Sequence, residues 1–470
     1  MTLFASILKR TLPAAVLLNA ACFTFPTGAD GPLPIRTNLI ASQGYVYGFP
    51  ALLMDETMSL ATEFPYICGL GGPANAFTHK FDPPDPDFRG VVRPNVDTLY
   101  SSAFLDLSEG PLRLEVPEVR DRFYMMAMLD AWSNNFAAPG TQTNGGEATD
   151  YLISGPNWQG DVPDGFELIR APTDIVWIIG RTELKGAADL EAANALQRAY
   201  VLEPLNGEPP VRQEGECRPP ADLATPEERV RALSGFEFFV ALDRVLETSP
   251  PPTDDDDMLE KLGLIGVGPL AEISIADLGR RNRNALDDGA SLGQTAMDRA
   301  FDIAQRASRW SPDPRQVPLG DYGTDYLIRG VVSQVGFGAN QNRFATYQNT
   351  SRDDDGDNLT GEGGHSYQLI FEAGEAPPVN AFWSVTVYNS DGFLVENPIN
   401  RYALGSNSGL EQAEDGDTVI TFAAQQPEGT PEENWLPIPD TDFEVTLRMY
   451  WPEEPILNGD WEAPALERLD

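Results

Sequence analysis

The order of two sequence textures along the chain most limits the folds open to it. From Val91 to Arg181 the chain consists of short apolar and β-branched runs, each bounded by Gly, Pro, Asp or Asn, and similar runs return from about residue 318. This rhythm is typical of antiparallel β-sandwiches. Residues 187–310 instead carry apolar side chains at helical spacing. The order β, α, β therefore predicts a mainly β, multidomain α+β protein with a helical segment in the middle.

Several helices and strands can be placed within these regions. The strongest helix start is Thr225-Pro226-Glu227-Glu228, in which Thr225 can cap the helix and Glu228 can complete a capping box. Another helical pattern begins near residue 38, and Pro50 is expected to break or kink it. The predicted strands are Thr98–Leu107, Leu112–Val116, Phe123–Leu129, Tyr151–Ser154, Glu167–Arg170, Ile175–Gly180, Tyr367–Glu372, Ala381–Tyr388, Thr418–Ala423 and Phe443–Tyr450.

The first 29 residues have the pattern of an export signal. Lys9 and Arg10 precede an apolar stretch from Leu12 to Phe25, and small residues follow it. The pattern predicts a periplasmic or secreted protein. Lipoprotein anchoring at Cys22 is the weaker alternative, because Asn19 stands where an aliphatic residue is expected. The remaining predicted segments are an N-terminal helix plus β domain over 30–186, a helical segment over 187–317 and a C-terminal β domain over 318–470.

The charge of the chain excludes some classes of partner. The chain carries 72 acidic and 32 basic residues, a formal net charge of −40 at pH 7. Such a charge argues against nucleic acid or an anionic membrane surface as a partner. No segment after the export signal reaches 18 apolar residues, so we do not expect an integral membrane protein. The charge predicts adaptation to salty surroundings, where ions screen self-repulsion.

Cysteine and histidine usage excludes several common mechanisms. Cys68 and Cys217 form an even pair, and either one disulfide or two free buried thiols fits them. The chain has two histidines, His79 and His365, so it cannot build a three-histidine zinc site alone. It also lacks the Gly-x-Ser-x-Gly, phosphate-loop and His-Glu-x-x-His motifs. Any reaction would therefore depend mainly on carboxylates, amides, Tyr and Arg.

The first candidate site is the 93–101 motif, Arg93-Pro-Asn-Val-Asp-Thr-Leu-Tyr-Ser101. One interpretation is a hydrogen-bonded turn buried against the second β domain, because Asn and Asp side chains readily bond backbone amides in turns. The other interpretation is a pocket rim in which Asp97 and Asp130 act as acid and base, provided that burial separates their pKa values. The substrate-binding residues would then be Asn95, Tyr100, Asn134, Asn135 and His79.

A second candidate site combines aromatic side chains with arginine in the C-terminal β domain. Aromatic faces beside amides and guanidinium groups are surfaces on which sugars and flat amphipathic molecules stack. The alternative is a β-domain core in which the same residues hold loops together. The candidate binding residues are Trp383, Arg401, Tyr402 and Trp435.

A third candidate is the acidic loop Asp353-Asp-Asp-Gly-Asp357. Asp353, Asp355 and Asp357 have the alternate spacing of a calcium loop, and calcium prefers oxygen ligands. Gly356 comes too early for that motif, and Glu362 is misplaced for its usual bidentate carboxylate. A solvated turn is therefore the competing interpretation, and calcium is the one cofactor that the sequence suggests.

Motifs in both β regions resemble a bacterial family of unknown function that joins the unknown-function domains 1254 and 1214. The resemblance implies an immunoglobulin-like N-terminal β domain, a helical segment and a C-terminal jelly-roll-like β domain. It implies no particular reaction. The motifs that carry the resemblance are Tyr45-Val-Tyr-Gly-Phe-Pro50, Arg93-Pro-Asn-Val-Asp-Thr-Leu-Tyr100, Arg122-Phe-Tyr124, Gly155-Pro-Asn-Trp-Gln-Gly160, Asn380-Ala-Phe-Trp-Ser384, Asn397-Pro-Ile-Asn-Arg-Tyr402, Asn434-Trp-Leu-Pro437 and Arg448-Met-Tyr-Trp451.

Two functions of different class fit these observations. The first is an exported hydrolase that acts on a small or carbohydrate-like molecule and uses Asp97 and Asp130. The second is a non-catalytic envelope protein that binds a small molecule or a glycan. Two close carboxylates in a concave pocket would favour the enzyme, and an aromatic surface without such a pair would favour the binding protein. A homo-oligomer is also expected, because β-sheet edges and faces invite pairing.

Overall fold

A computed structural model describes residues 34–469, except 70, 90, 91, 214, 220–222, 252 and 306–308. The predicted signal peptide over 1–29 and the alternative acylation site at Cys22 lie outside the described residues. The described chain is an α+β protein that contains two pairs of packed sheets and a layer of helices. Within this part of the chain, no helix is both long enough and apolar enough to cross a membrane.

The N-terminal β unit consists of two sheets packed face to face. A five-stranded sheet has the order β1-β2-β8-β4-β5, and a four-stranded sheet has the order β7-β6-β3-β9. Apolar side chains at alternate positions, such as Leu105, Leu114 and Ile178, form the core between them. The strands are β1 Thr78–His79, β2 Thr98–Asp106, β3 Leu112–Val116, β4 Tyr124–Asp130, β5 Asn135–Ala137, β6 Thr149–Ser154, β7 Phe166–Arg170, β8 Ile175–Glu183 and β9 Val201–Pro204.

The C-terminal β unit repeats this arrangement with two four-stranded sheets. Their orders are β10-β16-β12-β13 and β15-β14-β11-β17, and their shared core includes Leu369, Phe422 and Leu447. The strands are β10 Ala345–Thr350, β11 Ser366–Phe371, β12 Trp383–Asn389, β13 Ala403–Gly405, β14 Thr418–Ala423, β15 Trp435–Pro437, β16 Phe443–Tyr450 and β17 Leu466–Leu469. A short helix also lies within this unit, at Glu454–Asn458.

The helical layer is assembled around the first long helix. This helix packs against helices from the middle third and from the last third of the chain. Tyr45, Phe238 and Leu286 lie in the core that these helices share. The helix continues through Pro50, so the predicted break is absent. The helices are α1 Pro34–Thr62, α2 Thr141–Asn144, α3 Leu190–Ala199, α4 Pro226–Ala232, α5 Gly235–Thr248, α6 Asp256–Gly263, α7 Arg280–Gln305, α8 Tyr326–Gly336 and α9 Glu454–Asn458.

The observed units differ from the predicted division at 186 and 317. Strand β9 pairs with β3, so the N-terminal β unit extends beyond residue 186. Helix α8 lies beyond residue 317 and packs on α1 and α7, so it belongs to the helical layer. Helix α1 belongs to the same layer, and its Met54 also shares a core cluster with Phe104 and Ile179 of the β unit that follows it. These boundaries depend on long-range pairing and packing, which local sequence patterns do not encode.

Local sequence signals predicted the structure within a segment more reliably than they predicted the boundaries between units. The Thr225 side chain accepts a hydrogen bond from the Glu228 amide, and the Glu228 carboxylate accepts one from the Thr225 amide, which confirms the capping box. Cys68 and Cys217 form a disulfide, the first of the two alternatives that their count allowed. The bond joins the segment after α1 to the segment after β9.

Candidate functional site

The 93–101 motif lies between the two β units. The Arg93 guanidinium pairs with the Glu444 carboxylate at 2.7 Å, and the Arg93 amide donates to the Gly392 carbonyl at 2.8 Å. The Pro94 carbonyl accepts a hydrogen bond from the Tyr388 hydroxyl at 2.7 Å. The motif therefore covers the outer face of strands β12 and β16, as the buried-turn interpretation expected.

Asn95 fixes the shape of this turn. Its side-chain oxygen accepts a hydrogen bond from the Asp97 amide at 2.8 Å, which is an Asx turn. Its amide nitrogen donates to Thr98 Oγ1 at 3.1 Å and to the Tyr450 hydroxyl. Asn95 is 5% exposed, so these bonds satisfy a buried amide. The predicted binding residue is thus a structural link between the two β units.

Asp97 contacts the C-terminal β unit. Its carboxylate accepts a hydrogen bond from Ser384 Oγ at 2.5 Å. Burial raises the pKa of Asp97, and the nearby Arg448 guanidinium and the Ser384 hydroxyl act in the opposite direction without cancelling it. The carboxyl can therefore hold a proton at a higher pH than an exposed aspartate can.

Asp130 ends β4 and closes a second turn. Its carboxylate accepts hydrogen bonds from the Trp132 and Asn134 amides, both at 2.9 Å, and from the Asn134 side chain. Burial raises the pKa of Asp130, and these donors together with Arg329 oppose the effect. Because the carboxylate already accepts four hydrogen bonds, its geometry is that of a turn cap. The neighbouring Asn135 side chain is buried, and its amide atoms have no partner among the described residues.

The structure does not bring Asp97 and Asp130 together. Thr98, which follows Asp97, pairs with Glu183 of β8, whereas Asp130 pairs with Val176. Seven residues of an extended strand span roughly 23 Å. Paired carboxylates of glycoside hydrolases lie about 5–10 Å apart. Asp97 and Asp130 therefore do not form the predicted acid–base pair, because their neighbours pair with opposite ends of strand β8.

A buried arginine that the sequence analysis did not select lies beside the 93–101 motif. Arg181 is 7% exposed and stands on the outer face of β8, between Tyr100 of β2 and Met125 of β4. Its Nη1 donates to Asn340 Oδ1 at 3.0 Å and weakly to the Ile179 carbonyl at 3.4 Å. Its Nε has no hydrogen-bond partner, and within the described chain no carboxylate lies within 4.0 Å of its guanidinium.

Three phenols surround this arginine. The Tyr100 ring centre is 5.4 Å from the Arg181 guanidinium carbon. Tyr347 accepts a hydrogen bond from the Asn340 amide at 3.0 Å, and its ring meets that of Tyr450 edge-on at 5.9 Å. Tyr100 and Tyr347 are partly exposed, whereas Tyr450 is buried. These five residues, Tyr100, Arg181, Asn340, Tyr347 and Tyr450, are called the Arg181 cluster.

The electrostatics of the Arg181 cluster favour a charged Arg181 guanidinium and a protonated Tyr450. Burial acts to lower the pKa of Arg181, but the oxygens of Tyr347 and Tyr100 outweigh it, and the pKa is raised. Burial also raises the pKa of Tyr450 well above its ordinary value, with contributions from Tyr347 and Tyr100. The cluster therefore presents one cation and hydrogen-bond donors at neutral pH.

Partly exposed aromatic rings continue the same sheet face away from Arg181. Trp177 stacks on Phe104 with ring centres 5.2 Å apart, and its indole nitrogen donates to Ser102 Oγ at 2.9 Å. Phe337, just after α8, packs on Trp177 at 5.3 Å. Trp177 and Phe337 are both partly exposed. Tyr100, Trp177 and Phe337 are called the aromatic face.

The chain after α8 lies directly on this sheet. Gly338 has a φ of +84°, and a Cβ added to it would lie 2.5 Å from Ile179 Cδ1. Glycine is thus required both for the backbone conformation and for the close approach. The approach brings Asn340 to Arg181, which explains how a residue distant in sequence completes the cluster.

Two residues near the cluster adopt backbone conformations that favour glycine. Arg93 has a φ of +52°, and Trp451, which follows Tyr450, also has a φ of +52°. Each such residue costs about 1–3 kcal/mol, and strain of this kind concentrates at functional sites. Both lie where the two β units meet, so packing between the units must hold them.

His79 does not reach the Arg181 cluster. It pairs in register with Ser101, and its Nδ1 lies 2.8 Å from Ser101 Oγ. Successive residues of a strand point to opposite faces, so His79 lies across the sheet from Tyr100. Burial lowers the pKa of His79 to about 4, with a smaller effect from Arg198. A neutral imidazole hydrogen-bonded to Ser101 has the geometry of a structural residue.

The second predicted site divides between core and surface. Trp383 and Trp435 are each 6% exposed, and the Trp435 indole donates to the Ala423 carbonyl at 2.8 Å. Arg401 donates to the Trp435 carbonyl at 3.0 Å. Arg401 and the partly exposed Tyr402 line a small surface depression with Asn397. The predicted set therefore does not form one aromatic binding strip, because its two tryptophans are buried.

The acidic loop has the geometry of a turn. Asp353 is 1% exposed, and its carboxylate accepts a hydrogen bond from the Asp357 amide at 2.8 Å. Across the described residues, no group of three or more His, Cys, Asp or Glu side chains is arranged to hold a metal ion. The three aspartates thus do not converge as calcium ligands.

An α+β protein with two β units joined by the 93–101 motif is the class that the fold and the site define. Residues 74–204 match a model described as a protein of unknown function (DUF1254), and residues 344–454 match one described as a protein of unknown function (DUF1214). The chain belongs to the family that joins these two domains in this order, as the motifs predicted. The bonds of Arg93 to Glu444 and of Asp97 to Ser384 connect one matched domain to the other.

A solved structure supports the same fold. The VPA0106 protein from Vibrio parahaemolyticus superimposes with a TM-score of 0.69 at 22% identity, covering 92% of this chain and 100% of that chain. An uncharacterized protein from Burkholderia cenocepacia gives a TM-score of 0.43 at 12% identity over 92% of this chain and 94% of that one. No curated protein matches the chain significantly.

Proposed function

We propose that the protein binds a small molecule on the aromatic face, beside the Arg181 cluster, without performing chemistry on it. The observation that carries this proposal is the partial exposure of Tyr100, Trp177 and Phe337, whose rings pack against a buried cluster that includes Phe104 and Ile179. Aromatic rings next to a few convergent polar groups are the usual lining of ligand sites. The Arg181 cluster supplies those polar groups from both β units.

Binding fits the geometry better than hydrolysis does. Acid–base hydrolysis needs two groups within reach of one bond, and β8 separates Asp97 from Asp130. The Asp130 carboxylate also accepts hydrogen bonds from the backbone amides of its own turn. The aromatic face, by contrast, needs no partner group to hold a flat or apolar molecule.

Trp177 provides the test of this proposal. A thermal-shift screen of small aromatic, aliphatic and sugar compounds should find stabilising ligands, which should also change the Trp177 fluorescence. Trp177→Ala should weaken such a ligand by about tenfold or more, since it removes a stacking surface. Trp158→Ala is the matched control, because Trp158 lies in the loop between β6 and β7. Equal binding by both variants, or no ligand at all, would refute the proposed site.

A hydrolase acting on a small or carbohydrate-like molecule is the second candidate function. The observation that favours it is the raised pKa of Asp97, a property of catalytic acids, close to the Arg181 cluster. Asn95 connects Asp97 to Tyr450 through hydrogen bonds. If Asp97→Asn leaves both ligand affinity and any turnover unchanged, the hydrolase is excluded while binding stands.

We also propose the finer topology and the location of the protein. The paired five- and four-stranded sheets support an immunoglobulin-like N-terminal unit, and the paired four-stranded sheets support a jelly-roll-like C-terminal unit. The basic and apolar pattern of residues 1–29 supports export to the periplasm or beyond. Protease protection of the full-length protein in spheroplasts would argue against export.

A further inference from the structure

We infer that the ligand of the aromatic face is an amphipathic organic anion whose carboxylate pairs with Arg181 while its apolar body lies against Trp177 and Phe337. This inference rests on the proposed function and adds the chemical class of the ligand. It is carried by the incomplete pairing of Arg181, which is a separate observation from the exposure of the aromatic rings.

Arg181 differs from the other arginines that the structure buries. Arg122 bonds the Asp189 carboxylate through two nitrogens, each at 2.8 Å, and Arg329 has Asp255 at 3.9 Å. Arg448 is attracted by the nearby Asp97 carboxylate. Among the residues that the structure describes, Arg181 has neutral partners only, in a protein with 72 acidic residues. A buried cation ordinarily has an anionic partner, because removing it from water is costly.

The free side of the guanidinium is suited to a carboxylate. The hydrogen bonds of Arg181 to Asn340 and to the Ile179 carbonyl come from Nη1, and the Tyr100 hydroxyl is a further hydrogen-bonding neighbour. Its Nε is without a hydrogen-bond partner in the described structure. The edge that carries Nε can bind the two oxygens of a carboxylate in parallel. The ring centre of the partly exposed Tyr100 lies 5.4 Å from the guanidinium carbon, so an anion bound to Arg181 would lie beside a phenol that solvent reaches.

The surroundings explain why the anion would need an apolar body. A protein of net charge −40 repels anions at long range, so a simple inorganic anion would gain little by approaching it. Contact with the rings of Trp177 and Phe337 offsets this repulsion by removing apolar surface from water. Arylacetates and medium-length fatty acids have the required shape and charge.

Phenylacetate and phenylacetamide form the decisive pair of probes, because they share a shape and differ in charge. We expect phenylacetate to bind the full chain about ten- to a hundredfold more tightly than phenylacetamide, the range expected for a charge-assisted hydrogen-bonded pair. Calorimetry and thermal shift at neutral pH and fixed ionic strength would measure the ratio. Arg181→Met should abolish the preference, whereas Arg113→Met, in an ion-paired surface site on the opposite sheet, should retain it.

Each outcome decides between the two proposals. Equal affinity of the acid and the amide in the wild-type protein would overturn the inference and leave the proposed binding site standing. If neither phenylacetate nor octanoate binds while uncharged compounds still bind in the wider screen, the inference is likewise overturned and the proposed binding site stands. Absence of any ligand in that screen would remove the proposed function itself. If Arg181→Met does not fold, Arg181→Lys, which keeps the charge but loses bidentate geometry, should still weaken phenylacetate binding selectively.

Discussion

At the residue scale, the chain uses polar side chains to join separate parts of the fold. Asn95 bonds its own turn and the distant Tyr450, and Asp97 bonds Ser384. Such residues were the most visible chemical candidates in the sequence. The polar groups of these residues already have hydrogen-bond partners within the protein. The groups available to a ligand therefore belong to residues that stand out less in the sequence. Arg181, a charge that directly follows the apolar run Ile175–Gly180, was the signal available for the missed residue, because arginine is rarely buried without a partner.

Asp97 and Asp189 should respond to pH in opposite directions. Burial raises the pKa of Asp97, so its contribution to stability is present below the unfolded pKa and is lost as the pH rises through the folded pKa. For Asp189, burial acts to raise the pKa, but Arg122 outweighs it and the pKa is lowered. Its contribution is therefore present above the unfolded pKa and is lost as the pH falls through the folded pKa.

Urea unfolding of Asp97→Asn and Asp189→Asn between about pH 3.5 and pH 7 would measure this difference, starting from ordinary aspartate values near 3.9. Relative to the wild-type protein, Asp97→Asn should become more favourable as the pH rises. Asp189→Asn should become less favourable over the same range. If both variants show the same sign of change, the assignment of the two environments is wrong.

Arg329 and Asp255 form a second buried pair, and removing one partner should cost more than removing both. Arg329 is 1% exposed and lies among the rings of Tyr47, Trp132 and Tyr326. Its Nε and Nη2 have no hydrogen-bond partner in the described structure. Arg329→Met leaves the Asp255 carboxylate without its cation, which should destabilise the protein by about 3–5 kcal/mol.

A double-mutant cycle isolates the interaction between these two residues. Adding Asp255→Asn to Arg329→Met should recover part of the lost free energy of unfolding, because it removes the uncompensated charge. Chemical denaturation of the wild type, both single variants and the double variant would give the coupling. Strict additivity would mean that the 3.9 Å separation is too long for the pair to interact.

At the element scale, patterns within one strand or helix were predictable, and the surfaces between elements were not. The bounds Leu112–Val116, Thr418–Ala423 and Phe443–Tyr450 agree with the predicted strands. Alternation along β16 would, however, place Thr446 and Arg448 in solvent, whereas both are buried. Arg448 lies beneath the 93–101 motif and donates to the Arg93 carbonyl at 3.0 Å. Because another domain supplies the surface that covers these side chains, the sequence of β16 alone does not predict their burial. The Arg181 cluster was hidden for the same reason, since Asn340, Tyr347 and Tyr450 arrive from the second half of the chain.

The crossing of α1 and α7 depends on a helical glycine. A Cβ added to Gly289 would lie 2.5 Å from Ala41 Cβ and 2.6 Å from the Asn38 carbonyl oxygen. Gly289→Ala should therefore destabilise the protein by about 1–3 kcal/mol, because the helices must separate to admit it. Gly336→Ala at the end of α8 is the control, since an added Cβ there meets nothing within 4 Å. Thermal unfolding should show a fall for the first variant and no fall for the second; equal effects would mean that the crossing tolerates separation.

At the scale of the whole molecule, the acidic charge should make stability depend on salt. At neutral pH the 72 acidic side chains give a net charge of −40, and the folded state concentrates their mutual repulsion. Added salt shortens the screening length to about 10 Å at 0.1 M and about 3 Å at 1 M. The melting temperature at pH 7 should therefore rise from low salt to about 1 M NaCl, and the steepest rise should come before the screening length falls below the spacing of surface charges.

The pH of the measurement supplies the control for this prediction. Near the isoelectric point of about 4.2 the net charge is close to zero, so net repulsion no longer opposes folding. The salt-dependent gain in melting temperature should then shrink strongly or disappear, whereas a general effect of salt on apolar hydration would persist at both pH values. An equal gain at pH 7 and near pH 4.2 would show that charge repulsion is not the cause. A gain confined to neutral pH would support adaptation of this acidic surface to salt, and would set the ionic strength at which anion binding to Arg181 should be measured.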